Sequence, residues 1–291
     1  MQEVKKFLDY LELERKFSAN TVLNYEIDLK EFVDFIVSKD LNKIEIKDIR
    51  RYLEYLNEQK YHVSSISRKV SSLKSFFKYL KAEKMIDNNP MALISNPKKE
   101  KKLPVFLNYQ DLDKLLNTPD LNTGVGQRDA LILEMLYSTG IRVSELANLK
   151  LKDINFGEHK ILILGKGNKE RYVYYGTKCQ KLLDKYLSDG RTMYPASAYL
   201  FSNKHGNKLN ERMIRMIVDE CGRKAQLNVH VTPHVLRHTY ATHMLNEGAD
   251  LKSVGDLLGH ENLSTTQIYT HVSNERLRKV YLSSHPRAKK N

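Results

Sequence analysis

Apolar residues recur at helical spacing through the first third of the chain. Val4, Phe7, Leu8 and Leu11 form one stripe. A second opens after Ser18-Ala-Asn-Thr21, a segment suited to capping a helix, and runs through Tyr25, Leu29, Phe32, Phe35 and Ile36. A third joins Ile49, Tyr52, Leu53 and Leu56. A fourth begins near Ser64, carries Ile66, Val70, Leu73, Phe76, Phe77 and Leu80, and stops before Asn88-Asn89-Pro90. Residues 1–95 therefore predict helices only. The stretch from Asn96 to Pro104 has two prolines, five charged residues in a row and no apolar period, so it reads as a linker. We place the boundary between two domains there, at 96–105.

From Phe106 the pattern changes. Tyr109 to Leu116 predicts a helix, and Arg128 to Ser138 a strongly apolar one at the centre of a core. Gly140 ends it, and Val143 to Leu149 starts another. Ile161–Leu164 and Arg171–Tyr175 are β-type runs joined by a Gly-rich, basic tip at 165–170, which predicts a hairpin. A short strand at Tyr199–Phe201 is also expected. Beyond Thr177 the rest reads as helical, with an amphipathic segment at 274–282. The fold class is mainly α with a small β-hairpin or sheet in the second domain, residues 106–291.

Charge sharpens this picture. The formal net charge of +13 points to a polyanionic partner, nucleic acid first, although a soluble protein can simply be basic. Residues 1–59 hold ten Lys/Arg against thirteen Asp/Glu, whereas residues 60–102 hold eleven against three. The fourth helix thus carries the positive field. Its polar positions Ser64, Ser65, Ser67, Arg68, Ser71, Ser72, Lys74, Ser75 and Lys78 suit contact with phosphates, with Arg68, Lys74 and Lys78 as the DNA-binding cations. A solvated helix face is the alternative. Cys179 and Cys221 show no metal or redox spacing and read as core thiols. The N-terminus lacks the apolar run of a signal peptide, and no segment reaches the roughly 18 apolar residues of a membrane span, so a cytoplasmic protein without membrane contact is expected.

Four short stretches carry candidate chemistry: Thr139-Gly-Ile-Arg142-Val-Ser-Glu145-Leu, Gly165-Lys166-Gly-Asn-Lys-Glu170, His234-Val-Leu-Arg237, and Leu257-Leu-Gly-His260 followed nine residues later by Tyr269. Each alone has an ordinary explanation, and the lysine-bearing loop lacks the frame of a nucleotide P-loop. Together they suit metal-free phosphoryl transfer. Two arginines can hold a phosphate from two sides and stabilise the charge that builds on its oxygens. A tyrosine hydroxyl near cations is a workable nucleophile. A lysine on a hairpin tip can protonate a departing sugar oxygen, and histidines can manage the nucleophile's proton.

The set Arg, Lys, His-x-x-Arg, His, Tyr, in that order, is similar to the active site of the tyrosine site-specific recombinases of the integrase family. The segments TGIRVSEL, GKGNKER, TPHVLRHTYATHML, LLGHENLSTTQIYTHV and HPRA resemble its bacterial Xer branch, and the likeness spans the whole chain. The resemblance implies a two-domain DNA clamp, with an N-terminal helical core-binding (SAM-like) domain and a catalytic domain. It implies that Tyr269 attacks the scissile phosphate to form a 3′-phosphotyrosyl link, that Arg142 and Arg237 clamp the phosphate, and that Lys166 is the general acid. His234 would act as general acid/base, His260 would donate to the phosphate, and Glu145 would orient Arg142 or His234. No cofactor, metal or ATP is implied.

The implied partners are double-stranded DNA bearing a short palindromic core site and a homo- or hetero-tetramer in which the C-terminal tail, 274–282, passes cyclically to a neighbour; packing on its own domain is the alternative for that tail. A paralogous recombinase and a septal DNA translocase stay open as further partners. The usual task of such proteins is resolving chromosome and plasmid dimers before cell division. A phage or mobile-element integrase has the same chemistry. A type IB topoisomerase, or a DNA binder with idle residues, are the more distant alternatives.

Overall fold

The structure, a computed structural model, describes residues 2–36, 40–97, 105–165, 170–193, 195–259 and 274–288. Backbone contacts divide the chain into two compact units, Met1–Lys102 and Leu103–Asn291.

The first unit is helical. α1 (Gln2–Asp9) runs into a π-helical turn, Tyr10–Glu14, and is followed by α2 (Ala19–Ile36), α3 (Ile46–Glu58) and α4 (Val63–Ala82). Ser18 precedes α2, and its Oγ accepts from the Thr21 N–H at 3.3 Å. The apolar stripes meet in an aromatic core containing Phe7, Phe32, Tyr52, Phe76 and Phe77, all fully buried. Phe32 and Tyr52 pack edge to face with ring centroids 5.1 Å apart.

α4 does not turn all its predicted polar positions outward. Ser67 and Ser72 are buried, together with Lys69 between them. The cause is Asp28, buried on α2. Its carboxylate accepts from Arg68 Nη1 at 2.5 Å, Lys69 Nζ at 3.3 Å and Ser72 Oγ at 2.8 Å. Glu31 takes Lys69 Nζ at 2.7 Å and the hydroxyls of Tyr52 and Tyr61 at 3.2 Å each. Charges removed from water persist only when paired, so this network locks α2 against α4. Ser64, Arg68, Ser71 and Lys78 remain exposed, with Lys74 and Ser75 half-buried beside them.

The second unit begins with α5 (Tyr109–Leu116), α6 (Gly124–Thr139) and α7 (Val143–Asn148). An antiparallel sheet follows, in the order β1 (Ile154–Asn155), β2 (Lys160–Leu164), β3 (Glu170–Tyr174). Helices α8 (Thr177–Ser188), α9 (Glu211–Lys224), α10 (Pro233–Asn246), α11 (Leu251–Leu258) and α12 (Asn274–Ser284) complete it. Leu131, Ile132, Leu133, Met135, Leu136 and Tyr137 are fully buried, so α6 runs through the core on every side. The two-residue β1 is too short to leave an alternating pattern. Tyr199–Phe201 forms no strand; Tyr199 makes an isolated bridge to Lys150. Both cysteines are free and buried. No described helix is long and apolar enough to cross a membrane.

In the single chain α12 packs on its own unit, where Leu277 and Tyr281 join the core. The chain then buries His285, whose ring stacks on Tyr281 with centroids 4.9 Å apart. The Arg287 N–H donates to His285 Nδ1 at 3.1 Å, which places the proton of the neutral ring on Nε2. The Arg287 guanidinium lies 3.7 Å from the buried Glu134 carboxylate and 3.6 Å from Asp113. Its carbonyl presses against Gly176, where a Cβ has no room.

Two predictions follow from these buried charges. Asp28→Ala leaves Lys69 buried beside a single carboxylate, so the denaturant midpoint of the first unit should fall by the equivalent of about 3 kcal/mol; adding Lys69→Met should restore most of it. Burial pushes the His285 imidazole down to about 3, from an ordinary value near 6.5. The unfolded chain then binds the proton first, so stability held above pH 6.5 drains away as pH falls toward 3. Burial pushes the nearby Glu134 up, which acts in the opposite sense. A His285→Gln variant should therefore show a flatter urea midpoint than the unsubstituted chain between pH 6.5 and 4; identical slopes would contradict the assignment.

Candidate active site

Arg142 stands at the start of α7, immediately after the turn that Gly140 makes with φ +61°. Its N–H donates to Glu145 Oε2 at 2.8 Å, and its Nη1 to Glu145 Oε1 at 3.1 Å. Glu145 thus holds Arg142 at both main chain and side chain; none of its hydrogen bonds goes to His234. Arg171, near the start of β3, grips the same carboxylate with a two-pronged contact, 2.8 Å on each oxygen. Burial would push the Glu145 carboxyl up, but the Arg171 fork and Arg142 outweigh it and hold it below the usual carboxylate range.

The guanidiniums also converge on the end of α11. Helix C-termini leave carbonyls without intrahelical partners and carry partial negative charge. Leu257 O accepts from Arg171 Nε at 3.2 Å, Leu258 O from Arg237 Nη2 at 2.7 Å, and Gly259 O from Arg142 Nη2 at 2.9 Å. Arg237, buried on α10, also donates from Nη1 to Gly140 O at 2.6 Å. Burial, with the neighbouring cation Arg142 adding to it, pushes Arg237 down to about 10, so it stays charged at neutral pH. A guanidinium has five N–H donors. Arg142 and Arg237 each commit two to these partners, which leaves donors for an anion. The Arg142 side chain is 39% exposed, against 14% for Arg171.

His234 lies one turn before Arg237 on α10, exposed, and its ring has no partner among the described residues. Lys166, His260 and Tyr269 lie outside the described residues. Their flanks are placed: Leu164 pairs with Glu170 on either side of the hairpin tip, and Gly259, the residue before His260, is tied to Arg142. Among the described residues no group of three or more His, Cys, Asp or Glu could hold a metal ion. Three guanidiniums gathered at one helix end, two of them on the Glu145 carboxylate, make a positively charged cluster with the donors to hold a phosphodiester.

Comparison with known proteins gives the family. A model of the phage integrase family matches residues 105–276, and one of the phage integrase N-terminal SAM-like domain matches residues 4–84. The tyrosine recombinase XerC of Anoxybacillus flavithermus is 47% identical over 290 residues, 97% of each chain. That of Oceanobacillus iheyensis is 47% identical over 296 residues, 99% of this chain and 97% of the relative. The chain belongs to the phage integrase family. It is a tyrosine recombinase, an enzyme of site-specific DNA recombination. The crystal structure of the XerH recombinase bound to difH substrate, a pre-cleavage complex, is 25% identical with a TM-score of 0.69, covering 96% of this chain and 83% of that one.

Within this recombinase the sequence reading overlooked Arg171. Its signal lay in strand alternation. Arg171 stands opposite Ile163, on the face shared by the buried Ile161 and Val173, where a cation needs a partner. Gly140 is equally exacting, since a Cβ there would lie 2.7 Å from the Tyr240 ring and 2.8 Å from Leu258, in a left-handed backbone. Gly140→Ala should cost about 1–2 kcal/mol from the backbone alone, more from the clash, and displace the carbonyl that holds Arg237. Thermal unfolding and strand cleavage should fall together.

Proposed function

We propose that this recombinase cuts and rejoins DNA at a short palindromic core site, through a transient bond between Tyr269 and a 3′-phosphate. Residues 1–95 form the core-binding domain and residues 106–291 the catalytic domain. The exposed stripe of α4, with Arg68, Lys74 and Lys78, meets the DNA backbone; Arg68 uses Nη1 on Asp28 and the Asn24 carbonyl and keeps its other donors for phosphate. Arg142 and Arg237 clamp the scissile phosphate. Lys166 gives a proton to the departing 5′-oxygen, His234 handles the tyrosine proton, and His260 donates to the phosphate. The link stores the energy of the broken phosphodiester, so rejoining needs no ATP. The observation that carries this reading is the convergence of Arg142 and Arg237 on the carbonyls next to His260, nine residues before Tyr269.

Exchange of two duplexes takes four cuts, so four protomers act together. Each offers the groove that receives its own α12, so cyclic exchange of the tail replaces Leu277 and Tyr281 contacts one for one. The task suited to such an enzyme is resolving chromosome dimers in the cytoplasm before division, alone or beside a paralogous recombinase, with a septal DNA translocase as its activator.

The test is a set of nicked duplexes carrying candidate palindromic sites of the chromosome, resolved on denaturing gels. The unsubstituted chain should trap a covalent adduct, and Tyr269→Phe should form none. Arg142→Ala or Arg237→Ala should cleave roughly 100- to 1,000-fold more slowly while DNA binding changes far less, because the clamp acts mainly on the charge of the transition state. An adduct that survives Tyr269→Phe would overturn the nucleophile. Sequencing of the trapped DNA reports whether the site is one chromosomal locus or the end of a mobile element.

A further inference from the structure

We propose that Arg171 is a positioning residue for strand cleavage, setting Arg142 through the shared carboxylate of Glu145. The proposal rests on the reading of Arg142 as a phosphate clamp. Arg171 commits three N–H groups to protein: two to the Glu145 oxygens and Nε to Leu257 O. With the side chain 14% exposed, it is placed to hold neighbours rather than substrate.

The geometry leaves Glu145 little freedom. Its Oε1 receives Arg171 Nη1 and Arg142 Nη1; its Oε2 receives Arg171 Nη2 and the Arg142 N–H. A planar guanidinium gripping both oxygens fixes the carboxylate plane, and the carboxylate then fixes Arg142. An ammonium can supply the charge but not the plane. The same guanidinium lies flat along the turn after α11. A Cβ at Gly259 would meet Arg171 Nε at 3.2 Å and Cζ at 3.3 Å, and the Gly259 carbonyl is the one that Arg142 uses.

Arg171 therefore touches the three places from which reacting groups extend. β3 is one arm of the hairpin whose tip holds Lys166, α7 begins next to Arg142, and α11 ends one residue before His260. Its strongest contacts favour the second route. Misplacing a clamp by about 1 Å can cost on the order of 100-fold in rate.

The experiment measures single-turnover cleavage of a nicked duplex carrying the site mapped by adduct sequencing, with binding followed by gel shift. A second substrate has sulfur in place of the bridging 5′-oxygen. On that substrate the tyrosine oxygen bonds to phosphorus, the P–S bond breaks, and the thiolate leaves without taking a proton. Arg171→Ala and Arg171→Lys should both bind within about threefold of the unsubstituted chain and cleave about 100-fold more slowly. Glu145→Ala combined with Arg171→Ala should be no slower than the worse single variant, since the two act as one unit. Sulfur should leave both Arg171 defects in place while removing that of Lys166→Ala.

Arg171→Lys cleaving at the full rate would overturn the proposal, because charge alone would then suffice. Sulfur restoring the Arg171 variants would overturn it in favour of the hairpin and Lys166. Binding that falls as far as cleavage would show a structural role only. Failure of the unsubstituted chain to form any adduct would overturn the underlying reading of the reaction.

Discussion

Three successive carbonyls at the end of α11 each accept a hydrogen bond from a different arginine, and the second unit is arranged around that junction. Arg171 reaches Leu257 O, Arg237 reaches Leu258 O, and Arg142 reaches Gly259 O. These acceptors are free because a helix cannot satisfy its last carbonyls itself. They also carry the negative end of the helix dipole, which suits cations. The chain turns there through Gly259 at φ +67°, a conformation glycine adopts without strain. Segments far apart in sequence, the α6–α7 turn, β3 and α10, thereby take their positions from one point.

Holding three guanidiniums in one cluster has an electrostatic cost that burial aggravates. Arg237 shows it directly: removal from water, and then the cation beside it, lower its proton affinity. Glu145 offsets part of this, and its carboxyl is held ionised by the same neighbours. One carboxylate and three carbonyl dipoles do not balance three full charges. The cluster is therefore most stable when an anion completes it. A phosphodiester does so, and the added charge of its transition state does so further. The three arginines are already held in place by protein partners, so they need little rearrangement to meet an anion.

Much of this was legible in the chain, unevenly so. Helical stripes such as Ile66, Val70, Leu73 and Phe77 read directly, because a period of 3.6 is visible over twenty residues. Gly140 read as a stop. The order of Arg142, Arg237 and their neighbours identified the chemistry. The structure brings those two arginines to one helix end, while Lys166, His260 and Tyr269 lie outside the described residues. What escaped reading depends on contacts distant in sequence. Asp28 falls among Tyr25, Leu29 and Phe32, and Lys69 follows Ile66 by three, so each is a charge on an apolar face. Only packing of α2 on α4 shows that they answer one another. α12 is open in a similar way: its amphipathic stripe says that something covers it, not which copy of the chain does so.

The described residues on either side of 260–273 make contacts of different chemistry. At Gly259 the hold is polar and built from the arginine cluster. Beyond Asn274 it is aromatic, with Tyr281 and His285 sunk among Tyr137, Tyr174 and Tyr240. The polar hold belongs to the same chain by necessity, since Gly259 directly follows Leu258, the last residue of α11. The aromatic hold does not: residues 260–273 can span up to ~50 Å when extended. A copy that seats its α12 on a neighbour would keep its own arginines and lose nothing in the core. The aromatic contacts of α12 are thus separable from the arginine contacts at Gly259.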